Sequence, residues 1–169
     1  MTLLFYAQPY DISAEGFYFQ SAESYGKQVS TIKNQYGQPV EEFEIQFIEG
    51  DLIDAEFAKA WGLNQVNFKP FIDATNDWDE EDKICFVLAV GECGYSFDAE
   101  NVDPTEFDVA IYRVHSMRDL AIEFVDDGLF GEVPEPFQFY IDYDAIALDL
   151  AIDYSEATIA GERLIFHCN

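Results

Sequence analysis

The sequence predicts an α+β chain built as three small modules, and three observations carry that reading. Apolar residues switch along the chain between strand-like alternation and helical spacing. Hydrophobic residues make up 49% and aromatics 17% of the 169 residues, enough for packed cores and too much for a disordered acidic tail. The charge is extreme, 34 acids against 8 lysines and arginines for a net −26, and it is not gathered into a tail. Residues 1–61 hold 10 acids and 3 bases, residues 62–106 hold 11 and 2, and residues 107–169 hold 13 and 3.

The first module, residues 1–61, reads as a small sheet carrying helices. Residues 3–7 and 16–19 are short apolar and aromatic runs bounded by turn residues, as strands are. Residues 21–35 read as a helix with Ser21 or Ser24 as cap, ended by Gly37 and Pro39. Phe43, Ile45 and Phe47 alternate with Glu44 and Gln46, the pattern of a half-buried strand. Residues 52–61 return to helical spacing through Ile53, Phe57 and Trp61, and Gly62 terminates them.

The second module, residues 62–106, reads as mainly helical, with its longer pieces over residues 66–73 and 80–93. Asp79, Glu80, Glu81 and Asp82 open the second piece, where acids favour the positive end of the helix dipole. That block reads first as an N-terminal cap and then as part of a negative surface.

The third module, residues 107–169, opens with a strand over residues 107–114. In residues 116–127 a helical stripe and a charge pattern then coincide. Met117, Leu120, Ala121, Phe124 and Val125 form one apolar face, while Asp119, Glu123, Asp126 and Asp127 line the opposite side. Ser116 and Asp119 have the form of a capping box, and Gly128 stands where the helix stops. Like charges at i and i+4 cost a few tenths of a kcal/mol per pair (roughly 0.2–0.5), so this face is not there for stability. Beyond Pro134 and Pro136, Asp142 caps a second helix in which Asp142, Asp149 and Asp153 share a side. Glu132, Glu135 and Asp144 complete the candidate partner-binding carboxylates. Phe137, Phe139 and Tyr140 read either as core or as a dimer contact. Residues 157–159 and 164–166 close the chain as a hairpin around residues 160–162.

The run LAIEFVDDGLFGEVPEPFQFYIDYDAIALDLAIDY (120–154), closed by AGERLIFHC (160–168), resembles the C-terminal part of the ArdA-type antirestriction proteins, acidic proteins of plasmids, transposons and phages. Residues 120–134 resemble that family's antirestriction motif, and IDYDAIALDL (141–150) resembles a second signature. The opening YAQPYDISAEGFYF (6–19) is similar to the start of phage and plasmid members. The sequence departs from many members at Leu148, where they carry arginine. The resemblance implies an elongated homodimer that imitates B-form DNA and occupies the DNA-binding groove of type I restriction-modification enzymes, on their methyltransferase core, in the cytoplasm of a bacterial host.

Physical chemistry supports the same direction. A net −26 repels nucleic acid and anionic membranes and attracts basic proteins, which sets direct DNA binding aside. Duplex DNA carries one charge per about 1.7 Å of axis, so ~26 charges correspond to about 44 Å, or roughly 13 base pairs. The competing reading is an acidic protein adapted for solubility, or a regulator of another basic DNA-binding protein. Enzymatic chemistry is not expected, because no metal or nucleophile motif is present and carboxylate pairs arise by chance among 34 acids. No cofactor is expected either. His115, His167 and Cys168 are the best candidates to converge on a metal, and two histidines are more simply ordinary side chains. Cys85 and Cys93, roughly 12 Å apart along one helix, do not bridge, and reduced thiols in a cytosolic chain are expected. MTLLFYAQPYDIS lacks the basic start and long apolar core of a signal peptide, and no stretch reaches transmembrane length.

Overall fold

A computed structural model describes residues 2–169. Its elements form two compact units, the first ending at Phe107 and the second spanning Asp108–Asn169. Each carries one three-stranded antiparallel sheet with helices, an α+β architecture.

The first unit begins with β1 (Leu4–Pro9), in which Phe5, Ala7 and Pro9 point inward in strict alternation. It pairs with β2 (Phe17–Phe19) on one side and β3 (Phe43–Glu49) on the other, with Phe5 opposite Phe19 and Phe47. Between β2 and β3 lies α1 (Ala22–Val29), capped by Ser21 in a capping box with Ser24. This helix is shorter than the expected residues 21–35. Ser30 and Thr31 turn their hydroxyls back to the carbonyls of Lys27 and Gln28, and the chain then closes a turn on Asn34. Three helices follow, α2 (Leu52–Trp61), α3 (Phe68–Asp77) and α4 (Glu80–Gly91). The start and stop of α2 agree with the sequence reading, whereas α3 begins two residues later than expected and continues to Asp77.

One aromatic core joins all these elements. Phe5 meets Phe71 of α3 at 6.1 Å between ring centroids, Phe71 meets Phe57 of α2 at 5.2 Å, and Phe57 meets Phe86 of α4 at 5.1 Å. Residues before and after position 61 therefore share an interior. Inside it lies an ion pair: the Lys83 ammonium donates to Asp54 Oδ1 at 2.8 Å, and Asp54 Oδ2 accepts from the Asp51 amide at 2.9 Å. Both groups are buried, so the attraction must offset a desolvation penalty of several kcal/mol per ion.

The second unit packs β4 (Val109–Tyr112), β5 (Ser155–Ile159) and β6 (Glu162–Cys168) in the order β4-β6-β5. Two residues, Ala160 and Gly161, link β5 to β6 with φ of 50° and 83°, the paired positive values of a tight hairpin turn. Against the sheet lies α5 (Met117–Asp126), followed by a 3-10 turn (Glu135–Tyr140) and α6 (Tyr143–Leu150). Leu120, Phe124 and Ile165 form the core, flanked by Tyr112, Met117, Leu150 and Tyr154.

Two expectations need correction. Phe137, Phe139 and Tyr140 are 62%, 93% and 84% exposed, which removes the core reading: the 3-10 turn that carries them buries none of its residues. Cys85 and Cys93 do not share one helix, because α4 ends at Gly91. The Cys85 thiol donates to the Phe107 carbonyl at 3.5 Å.

Candidate functional site

The carboxylates predicted from sequence fall into two groups, separated by what each does for its own helix. Asp79 caps α4, its Oδ1 accepting from the Asp82 amide at 2.9 Å, and Glu80, Glu81 and Asp82 fill the first turn. There the helix dipole presents positive charge, so these acids stabilise α4 by about 0.3–1 kcal/mol each. Asp119 is half-buried and reciprocally bonded to Ser116, accepting its hydroxyl at 2.8 Å while the Asp119 amide donates back at 3.1 Å. Asp142 caps α6 through Oδ1 to the Ala145 amide at 3.0 Å. Each of these has a structural duty.

Asp126 and Asp127 are placed differently. Burial of Leu120, Ala121 and Phe124 turns Glu123, Asp126 and Asp127 outward to solvent. Asp126 is the last residue of α5 and Asp127 its C-cap, where the dipole is negative and an acid is unfavourable. Gly128 follows at φ 76°, and the Leu129 amide returns to the Phe124 carbonyl at 3.0 Å, ending the helix. The fold gains nothing from negative charge at this end.

These two acids also border a cleft of about 610 Å³ lined by Glu132, Val133, Gln138, Ile141 and Tyr143. The structure thus brings Asp126, Asp127 and Glu132 together across six residues of chain. Glu135 lies exposed on the 3-10 turn. On α6, Asp144 accepts from Arg118 Nε at 3.0 Å, and the guanidinium lies 5.6 Å from the Tyr143 ring centroid. Asp149 is exposed near the end of α6, and Asp153, also exposed, lies beyond that helix, so the expected shared face ends at Asp149.

The cations present are largely engaged inside their own units. Lys27, Lys83, Arg113, Arg118 and Arg163 meet Glu23, Asp54, Glu162, Asp144 and Glu156. With 34 acids and 8 lysines and arginines, carboxylates outnumber these cations by 26.

A second acidic cleft, of about 340 Å³, was not expected. Asp73 and Asp77 of α3 meet Glu100, with Lys69, Trp78 and Val102 in its wall. The i, i+4 spacing of Asp73 and Asp77 was the available signal, and their meeting with Glu100 depends on the fold. Three further acids, Asp11, Asp98 and Asp103, are held below the usual carboxylate value, each chiefly by one polar side chain: Ser13, Asn101 and Thr105 respectively. The Tyr112 phenol is pushed up, first by burial, then by Tyr154 and the Glu123 charge.

Among the described residues there is no group of three or more His, Cys, Asp or Glu side chains able to hold a metal ion. His167 faces Asn169 at 2.8 Å and packs at a tilt on Tyr154, 5.1 Å between ring centroids. No helix of the described residues is long and apolar enough to cross a membrane. Compared with known families, residues 13–162 match the family model for antirestriction protein (ArdA). No curated protein matches the chain.

Proposed function

The chain belongs to the ArdA antirestriction family, and we propose that it acts by imitating duplex DNA. In this reading its carboxylates occupy the DNA-binding groove on the methyltransferase core of a type I restriction-modification enzyme, in the cytoplasm of the host. Arginines and lysines that normally meet phosphates meet aspartates and glutamates instead. No bond is made or broken, and inhibition is competition for the groove. The active species is a homodimer joined through Phe137, Phe139 and Tyr140, and it does not bind nucleic acid.

The observation that carries this reading is the placement of Asp126, Asp127 and Glu132. They line one cleft at the negative end of α5, where local electrostatics disfavours acids and no structural duty accounts for them. A folded backbone presents such charge in advance, so binding loses little entropy in ordering it. A DNA-binding groove derives much of its affinity from counterion release, and a protein polyanion draws on a related salt-dependent attraction.

Competition between the chain and a labelled duplex for a type I methyltransferase core, at several salt concentrations, tests the proposal. Inhibition is expected to weaken steeply as salt rises. Changing any one of Glu123, Asp126 or Asp127 to its amide leaves it nearly unaltered, since an exposed ion pair contributes about 0–1 kcal/mol. Neutralising these together with Glu132, Glu135, Asp149 and Asp153 abolishes it. Inhibition indifferent to salt, or lost with one amide, is incompatible with the proposal.

A further inference from the structure

Two loops of the first unit carry large apolar side chains that its core does not use. Tyr10 and Ile12 lie between β1 and β2, Tyr36 between α1 and β3, and they are 65%, 100% and 77% exposed. The loops are fastened to one another. Asp11 Oδ1 accepts from the Ser13 amide at 2.9 Å and from its hydroxyl at 2.7 Å, and that hydroxyl oxygen accepts from the Gln35 amide of the other loop at 3.2 Å. The Tyr10 amide donates to the Glu42 carbonyl at 3.1 Å, and Asn34 Oδ1 accepts from the Tyr36 and Gln38 amides. Between the loops runs a groove of about 280 Å³, walled by Tyr10, Asp11, Pro39, Val40, Glu41 and Glu42. Single exposed apolar residues are ordinary, but here Tyr10 walls the groove while Ile12 and Tyr36 stand on the two hydrogen-bonded loops beside it, open to a partner at little ordering cost.

The charge around them selects that partner. Asp11, Glu15, Glu41 and Glu42 stand on these loops against Lys33, and Asp11 stays ionised because its serine and asparagine neighbours favour the charged form. A second copy meeting its mate through this same tip would set Asp11, Glu15, Glu41 and Glu42 against their own like, and anionic lipid or nucleic acid would be repelled in the same way. Guanidinium is the group that uses both features, stacking on an aromatic face while its N–H groups meet a carboxylate. Its aliphatic stem also suits a fully exposed isoleucine. We propose that this two-loop tip is an arginine-binding contact, Tyr10, Ile12 and Tyr36 seating arginine side chains of the basic groove that the chain occupies. This rests on the DNA-mimic reading and adds to it a ring contact, whose loss weakens binding without changing the number of charges paired and so leaves the salt slope as it is.

The same competition assay, run with the full chain over a salt series, tests it. The triple variant Tyr10→Ser, Ile12→Ser, Tyr36→Ser is expected to inhibit at least about tenfold more weakly at every salt concentration, with the slope against salt unchanged, as loss of a small aromatic hot spot would give. The double variant Tyr10→Phe, Tyr36→Phe keeps the rings and inhibits like the parent chain. Tyr36→Gln alone, which leaves both loop backbones intact, weakens inhibition by roughly threefold and serves if the triple variant melts early. Variants that inhibit as the parent does overturn this contact and leave mimicry standing. A weakening that accompanies lost self-association in sedimentation overturns it in favour of a second copy. A parent chain whose inhibition ignores salt removes mimicry, and this contact with it.

Discussion

The two units carry negative charge at nearly equal density, 21 acids and 5 bases in residues 1–107 against 13 and 3 in residues 108–169, yet their interiors differ. Among the described residues the first unit buries 22 hydrophobic side chains and leaves 7 large ones exposed, whereas the second buries 7 and exposes 7. Charge density therefore does not follow from how a unit is packed. It is a property of the whole surface, laid over a thick aromatic core in one unit and a thin one in the other. The second unit has more unburied apolar surface per buried side chain, and a partner would gain most there.

Stability measurements can break this comparison. Phe86→Ala in the first unit should cost about 3–5 kcal/mol in urea unfolding, while Phe139→Ala should change stability by no more than about 0.5 kcal/mol. A comparable loss from Phe139 would mean that its ring is covered after all. Lys83→Ala should cost about 3 kcal/mol or more by leaving Asp54 charged and alone in the interior, and Asp54→Asn combined with Lys83→Met should recover most of it. Failure of the double variant to recover would show that the pair itself, not its separation, sustains the first unit.

Self-association sharpens the contrast next. Phe137→Ala with Phe139→Ala should shift the chain towards monomer in sedimentation, and unchanged dimerisation removes these residues from the contact. The helix ends offer a comparison of sign. Asp126→Asn with Asp127→Asn should stabilise the second unit by about 0.3–1 kcal/mol, whereas Glu80→Gln with Glu81→Gln should destabilise the first by a similar amount. Equal signs in thermal unfolding would contradict the division into structural and surplus acids.

The smallest effect concerns pH. Asp11, Asp98 and Asp103 have folded-state values below the model value of 3.8, so the ionised form is the one each loop favours. Their contribution is complete above that value and is lost as pH falls through the lower folded one. Carboxyl chemical shifts should titrate below 3.8 for all three. A value at or above it for Asp11 would undo the cross-loop anchor.

Much of the fold was legible from local pattern. Ser21, Asp79, Ser116 and Asp142 cap their helices as their residue types require, and Gly62 and Gly128 end theirs. The outward face of α5 followed from its apolar stripe. Helix ends set by competing hydroxyls, as at Ser30 and Thr31, were not legible, because backbone and side chain there offer near-equal alternatives. Leu148, where many members of the family have arginine, is exposed on α6, so the charge this chain lacks there belongs to the surface.

By itself the sequence determined which segments become helix or strand, where they are capped, and the sign of the surface, since these depend on residues a few positions apart or on composition. Only the tertiary structure decided that residues on both sides of position 61 share one interior, that Phe137 to Tyr140 face solvent, that Asp73, Asp77 and Glu100 meet in a cleft, and that the loops bearing Tyr10 and Tyr36 are joined. Each depends on which apolar faces find one another across long stretches of chain, and short-range periodicity does not encode that choice.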